Sequence, residues 1–149
     1  ILEIRAETIG YVSQFLRVIP RVSAKDIVAE PLIEAGMSAE RAVSAAEKLL
    51  NRLNIPSRLW GLAPATFSGG EQQRINIARG FIRPKPVMLL DEPTASLDAA
   101  NRRVVLELIK EAKCSGSALI GIFHDDEMRS LAAEREYPMR PPNGQTEIV

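Results

Sequence analysis

Four consecutive apolar residues, Val87-Met88-Leu89-Leu90, stand between Pro86 and the carboxylate pair Asp91-Glu92, which Pro93 follows. So short a run, closed by proline on both sides, reads as a strand buried on both faces of a parallel sheet. A second such run, Ala118 to Phe123, ends at His124. Between them Asp98 is placed to cap a helix reaching about Lys113. Its apolar face is Val104, Val105, Leu108, Ile109 and Ala112. Strand, helix, strand implies an α/β sheet whose ligands gather at the C-terminal strand ends.

Upstream the pattern is helical. A short strand, Ile9 to Ser13, runs into Gln14, and an irregular stretch carrying Pro20 follows from Phe15 to Ser23. Ala24 to Ala35 reads as a helix stopped by Gly36. Ser38 is expected to cap a second helix, with Ala39, Ala42, Val43, Ala46, Leu49, Leu50 and Leu53 on one face and Pro56 as its stop. A breaker-rich loop, Pro56 to Thr66, leads to Phe67-Ser68-Gly69-Gly70-Glu71. Ser68 and Glu71 have the spacing of a capping box, so a helix is expected from there to about Ile82. A short acidic-started helix is expected from Asp125 to Ala133, and a loose tail after Tyr137.

Composition narrows the function classes. The chain has 149 residues, is 46% hydrophobic, and balances 19 Lys and Arg against 19 Asp and Glu. No basic excess exists to displace counterions from nucleic acid, so no nucleic-acid partner is expected. Cys114 is the sole cysteine, which rules out an intramolecular disulfide framework and leaves a reducing compartment as the default. No apolar run nears the ~20 residues that span a bilayer, and the N-terminus lacks a signal-peptide layout. The expectation is a cytoplasmic protein with no direct membrane insertion.

Three features can carry chemistry. Adjacent carboxylates at a strand end point in different directions, so one of Asp91 and Glu92 can hold Mg²⁺, directly or through water, while the other orients or deprotonates an attacking water. Ser68-Gly69-Gly70 at a helix start lets backbone amides approach a phosphate. His124 is the only histidine, so no triad or zinc site can be completed with a second imidazole. Each feature alone is open to a plain structural reading: a solvated turn, an ordinary cap, a satisfied histidine.

In order, the segments Gln14, FSGGEQQRINIARG, VMLLDEPTASLD and His124 resemble the ATPase module of the ATP-binding-cassette (ABC) superfamily. Phe67 to Gln72 is similar to its signature motif, with Phe where Leu is usual. Val87 to Glu92 is similar to the Walker B strand, Ser96-Leu97-Asp98 to the D-loop, His124 to the switch histidine and Gln14 to the Q-loop glutamine. The resemblance implies an α/β fold of the P-loop NTPase, ABC ATPase type, and cofactors ATP and Mg²⁺. It also implies a head-to-tail dimer with a second ABC ATPase subunit, in which Ser68, Gly69, Gly70 and Glu71 face the partner's ATP. Asp91 would then hold Mg²⁺ through water and Gln14 would touch the metal and the attacking water. Glu92 would act as general base, His124 would hold the γ-phosphate and Asp98 would span the dimer seam.

One element of that family is missing from these residues. No Gly-Lys pair occurs, hence no G-x-x-x-x-G-K-[ST] phosphate cradle. The expected organisation is therefore a partial core. Residues 1–14 form the first strand and Q-loop, 15–82 an inserted helical subdomain, 83–136 the Walker B to switch-histidine core and 137–149 the tail. The chain alone is expected to be inactive and the complete protein a Mg²⁺-dependent ATPase.

Within the superfamily, YVSQFLRVIPRVSA, SRLWGLAPATFSGGEQQR and GIFHDDEMRS resemble the ATPase subunit (PhnL type) of the bacterial phosphonate carbon–phosphorus lyase system. Phe123 stands before His124 where Thr or Ser is usual. That resemblance implies a partnership with the carbon–phosphorus lyase core complex. The alternatives are the ATPase subunit of a lipoprotein or macrolide exporter and a non-catalytic docking module.

Overall fold

The computed structural model describes residues 7–14, 16 and 21–138. The loose tail expected after Tyr137 lies outside them from residue 139 onward, as does most of the stretch around Pro20. Three strands, β1 (Ile9–Val12), β2 (Val87–Asp91) and β3 (Ala118–Ile122), form one parallel sheet in the order β1-β2-β3. Tyr11, Leu89 and Ile120 stand in register across it, as do Val12, Leu90 and Gly121.

Local chemistry starts most helices. In α1 (Ala24–Glu34), Ser23 accepts from the Asp26 amide at 3.3 Å, and the helix runs through Pro31 before Gly36 turns the chain at a φ of +89°. Ser38 precedes α2 (Ala39–Arg52) without a side-chain capping bond. This helix ends earlier than Pro56 would dictate, because Asn54 adopts a left-handed φ of +55° just beyond it. The loop expected from Pro56 to Thr66 instead holds the single turn α3 (Ser57–Trp60) and a 3₁₀ turn at Pro64–Thr66. The capping box forms as expected at the start of α4 (Gly69–Phe81). Asp98 caps α5 (Ala99–Cys114) through the Asn101 amide at 2.8 Å, and Asp125 caps α6 (Asp126–Ala132) through the Met128 amide at 3.0 Å.

One continuous apolar core joins sheet and helices. Val12, Met88 and Leu90 are fully or nearly fully buried on the face that α4 and α5 cover, with Ile75, Ile77, Val105 and Ile109 above them. Helix α4 approaches β1 so closely at Gly80 that any β-carbon there would strike Val12. Helices α1 and α2 pack on each other and on α4, burying Ile27, Val28, Ala46 and Leu50.

The other sheet face corrects the expectation of strands buried on both sides. Tyr11 is 58% exposed, Ile120 65% and Ile122 60%, while Val87 and Leu89 are half-buried. Among the described residues nothing covers this side. The apolar runs thus supply one packed face and one open face.

Candidate functional site

All three strands point the same way, so the residues just past their ends come together. Gln14 follows β1, Asp91 and Glu92 close β2, and His124 follows β3. The Nε2 of His124 lies 2.6 Å from Glu92 Oε1, and Gln14 Nε2 lies 3.5 Å from Glu92 Oε2. One carboxylate is therefore approached from both sides, by an amide and an imidazole. The Glu92 side chain is 17% exposed while His124 is 81% exposed, so the imidazole stands at the mouth of the site.

Glu92 is held in an unusual backbone conformation. Its φ is +46°, in the region non-glycine residues rarely occupy. Its amide donates to the Ile122 carbonyl at 3.0 Å, extending the β2–β3 ladder one residue past the strand. That bond, with the turn closed by Ala95 donating to the Glu92 carbonyl at 3.3 Å, aims the side chain back across the sheet ends. Asp91 points elsewhere: its Oδ2 accepts from the Tyr11 hydroxyl at 3.1 Å on the open face. The two carboxylates diverge, as their adjacency requires.

A cleft of about 170 Å³ opens beside Glu92 and His124, lined also by Thr94, Ala95, Arg102, Phe123 and Asp125. Arg102 spans it. Its Nε donates to the Leu97 carbonyl at 3.0 Å and its Nη1 to Asp125 at 2.7 Å, joining the Asp98 turn to the segment that follows His124. The Met128 amide, seconded by Arg102, holds the Asp125 carboxyl below its ordinary range. The Asp98 carboxyl is likewise lowered, chiefly by the Asn101 amide.

Ser68, Gly69, Gly70 and Glu71 lie apart from that cluster, at the start of α4. The Ser68 amide and hydroxyl donate to Glu71 Oε2 at 2.9 and 2.8 Å, and the Glu71 amide donates back to Ser68 Oγ at 3.3 Å. These bonds, backbone first, hold the Glu71 carboxyl below its ordinary range. A β-carbon at Gly70 would sit 3.1 Å from the Ser96 carbonyl, so the turn fits tightly against the segment before Asp98.

The described residues hold no group of three or more His, Cys, Asp and Glu arranged around a common metal position. The oxygen donors of Gln14 and Asp91 suit Mg²⁺, an ion held typically by one or two protein ligands, several waters and substrate phosphates. They fit that role, whereas the phosphate cradle itself is not in these residues.

Of the residues expected at the strand ends, the structure brings Gln14, Glu92 and His124 into contact and turns the Asp91 carboxylate to Tyr11. Tyr11 and Arg102 are not singled out by sequence reading, because their side chains look like ordinary strand and helix residues until their long-range partners Asp91 and Asp125 are seen.

A family model described as "ABC transporter" matches residues 2–95, more than half of the chain. The chain belongs to that family. A dimeric ATP-binding cassette in a post-hydrolysis state with ADP and Pi superposes with a TM-score of 0.77 at 30% identity, covering 87% of this chain and 58% of that one. The fold is therefore that of an ABC ATPase cassette. Among proteins, the lipoprotein-releasing system ATP-binding protein LolD of Shewanella sp. (strain MR-4) is 36% identical over 148 residues, 99% of this chain and 62% of LolD. The macrolide export ATP-binding/permease protein MacB of Psychrobacter cryohalolentis is 34% identical over 134 residues, 90% of this chain and 20% of MacB. The chain thus spans between a fifth and three fifths of the length of these relatives. Neither printed name lends support to a carbon–phosphorus lyase association. No helix among the described residues is long and apolar enough to cross a membrane.

Proposed function

We propose that this chain supplies the hydrolytic half of one ATP site and the capping half of another, in a head-to-tail pair of ABC subunits. The observation that carries it is the convergence of Gln14 and His124 on the two oxygens of Glu92, at the ends of parallel strands. Glu92 takes the proton of the attacking water as general base. His124 steadies the γ-phosphate and, through its 2.6 Å contact, the base itself. Gln14 and Asp91 offer oxygens to Mg²⁺, which supplies charge neutralisation on the phosphates when bound. Ser68, with the exposed amides of Gly69 and Gly70, faces the partner's nucleotide, and Asp98 lies along the seam.

Ser68→Arg tests the capping half. In the complete gene product the variant should bind ATP like the wild type yet fail to form the nucleotide-dependent pair in light scattering; normal pairing would remove Ser68 from the interface.

The machine driven by this hydrolysis is read in two ways. The transport names of LolD and MacB support an exporter motor at the cytoplasmic side of a membrane permease. A second reading, an ATPase working with the soluble carbon–phosphorus lyase complex, rests on the three segments quoted above and on Phe123, which is half-buried against the core beside the cleft. Affinity capture of the complete gene product from phosphate-starved cells decides between them. Recovery of an integral membrane permease supports the motor, and recovery of lyase subunits from the soluble fraction supports the phosphonate role.

A further inference from the structure

Helix α4 presents Ser68–Glu71 at one end, but its buried side reaches the other functional cluster. Asn76, 7% exposed, donates from Nδ2 to the Ser13 carbonyl at 2.5 Å, with Ser13 Oγ at 3.5 Å. Ser13 immediately precedes Gln14. Gln73, 4% exposed, donates from Nε2 to the Pro93 carbonyl at 3.3 Å, and Pro93 immediately follows Glu92. Residues three apart share a helix face, so one face of α4 holds the backbone beside both groups. Burying two amides is unfavourable unless their bonds are made, and Gln73 Oε1 has no hydrogen-bond partner among the described residues. An apolar side chain at either position would pack against the sheet without that penalty.

We propose that Asn76 and Gln73 are positioning residues: Asn76 fixes Gln14, Gln73 fixes Glu92, and α4 sets the separation of the two. The chemical consequence rests on the hydrolytic reading above, whereas the mechanical claim stands on the two hydrogen bonds.

The test uses the complete gene product with Asn76→Leu, which keeps the branched shape and heavy-atom count but loses the donor, and Gln73→Met, which keeps the length of the side chain and loses its amide. Asn76→Leu should raise the Mg²⁺ concentration for half-maximal ATP hydrolysis about tenfold, as loss of support behind a metal ligand does, with KM for ATP within about twofold. Gln73→Met should lower kcat about tenfold without moving the Mg²⁺ midpoint. Hydrogen exchange read by mass spectrometry should quicken in the peptides around Gln14 and Glu92 and stay unchanged in α5. Wild-type Mg²⁺ midpoint, kcat and exchange in both variants overturn the proposal. If the wild type hydrolyses no ATP, the hydrolytic reading falls, and exchange near Gln14 and Glu92 alone decides the positioning claim. Should Asn76→Leu fail to fold, Gln73→Met carries the same decision on the Glu92 side.

Discussion

The two clusters assigned roles in the proposed function are built in opposite ways. The Ser68–Glu71 box closes its hydrogen bonds within four residues, in the open, and needs only the start of a helix to exist. The cluster of Gln14, Glu92 and His124 is assembled from the ends of three strands, with Gln14 and Glu92 separated by 78 positions. The first is a local object that the fold carries about; the second exists only while the sheet is intact. The cluster of Gln14, Glu92 and His124 is therefore the part most exposed to damage at a distance.

Substitutions ordered by size should break that contrast open. Glu92→Gln in the complete gene product should slow ATP hydrolysis about 10²- to 10⁴-fold while leaving a long-lived nucleotide-bound pair. Steady-state assay and size-exclusion chromatography with ATP check both halves, and unchanged turnover would take the base role from Glu92. Met88 is fully buried beneath α4 and α5, so Met88→Ala should destabilise the fold by about 2–5 kcal/mol in urea titration. Ile120, on the open face of the same sheet and 65% exposed, should lose no more than about 0.5 kcal/mol as Ile120→Ala. Equal losses at the two positions would mean that the open face is covered after all.

Ser68→Ala removes a local cap and should lower stability by about 1 kcal/mol, seen in the same titration. Acid should act most gently. The Glu71, Asp98 and Asp125 carboxyls are all lowered in the folded chain. Their stabilisation is fully present above the ordinary carboxylate range and is lost as pH falls through the folded values. Melting temperature should thus be flat from neutral pH to about 5 and decline below about 4. A rise on acidification would contradict the assignment.

What could be read from sequence follows the same division. The box at Ser68, the cap at Asp98 and the stop at Gly36 are written within a few residues, and each stands where expected. The gathering of Gln14, Glu92 and His124 was legible because parallel strands send their ends to one side, although the role of His124 came only through family resemblance. The early end of α2 was not, because Asn54 takes a left-handed turn that its neighbours do not announce. Nor was the open sheet face: an apolar run says that a strand can be buried, while coverage depends on what lies above it. Asn76 and Arg102 were illegible for a related reason, since their partners Ser13 and Asp125 lie 63 and 23 positions away.

The left-handed backbone at Glu92 has a consequence for the history of such a sequence. A non-glycine residue in that region carries about 1–3 kcal/mol of strain, so Glu92→Gly should melt above Glu92→Ala although both lose the same carboxylate. Heat stability and the carboxylate at this position therefore pull in opposite directions: glycine would relax the backbone that glutamate strains.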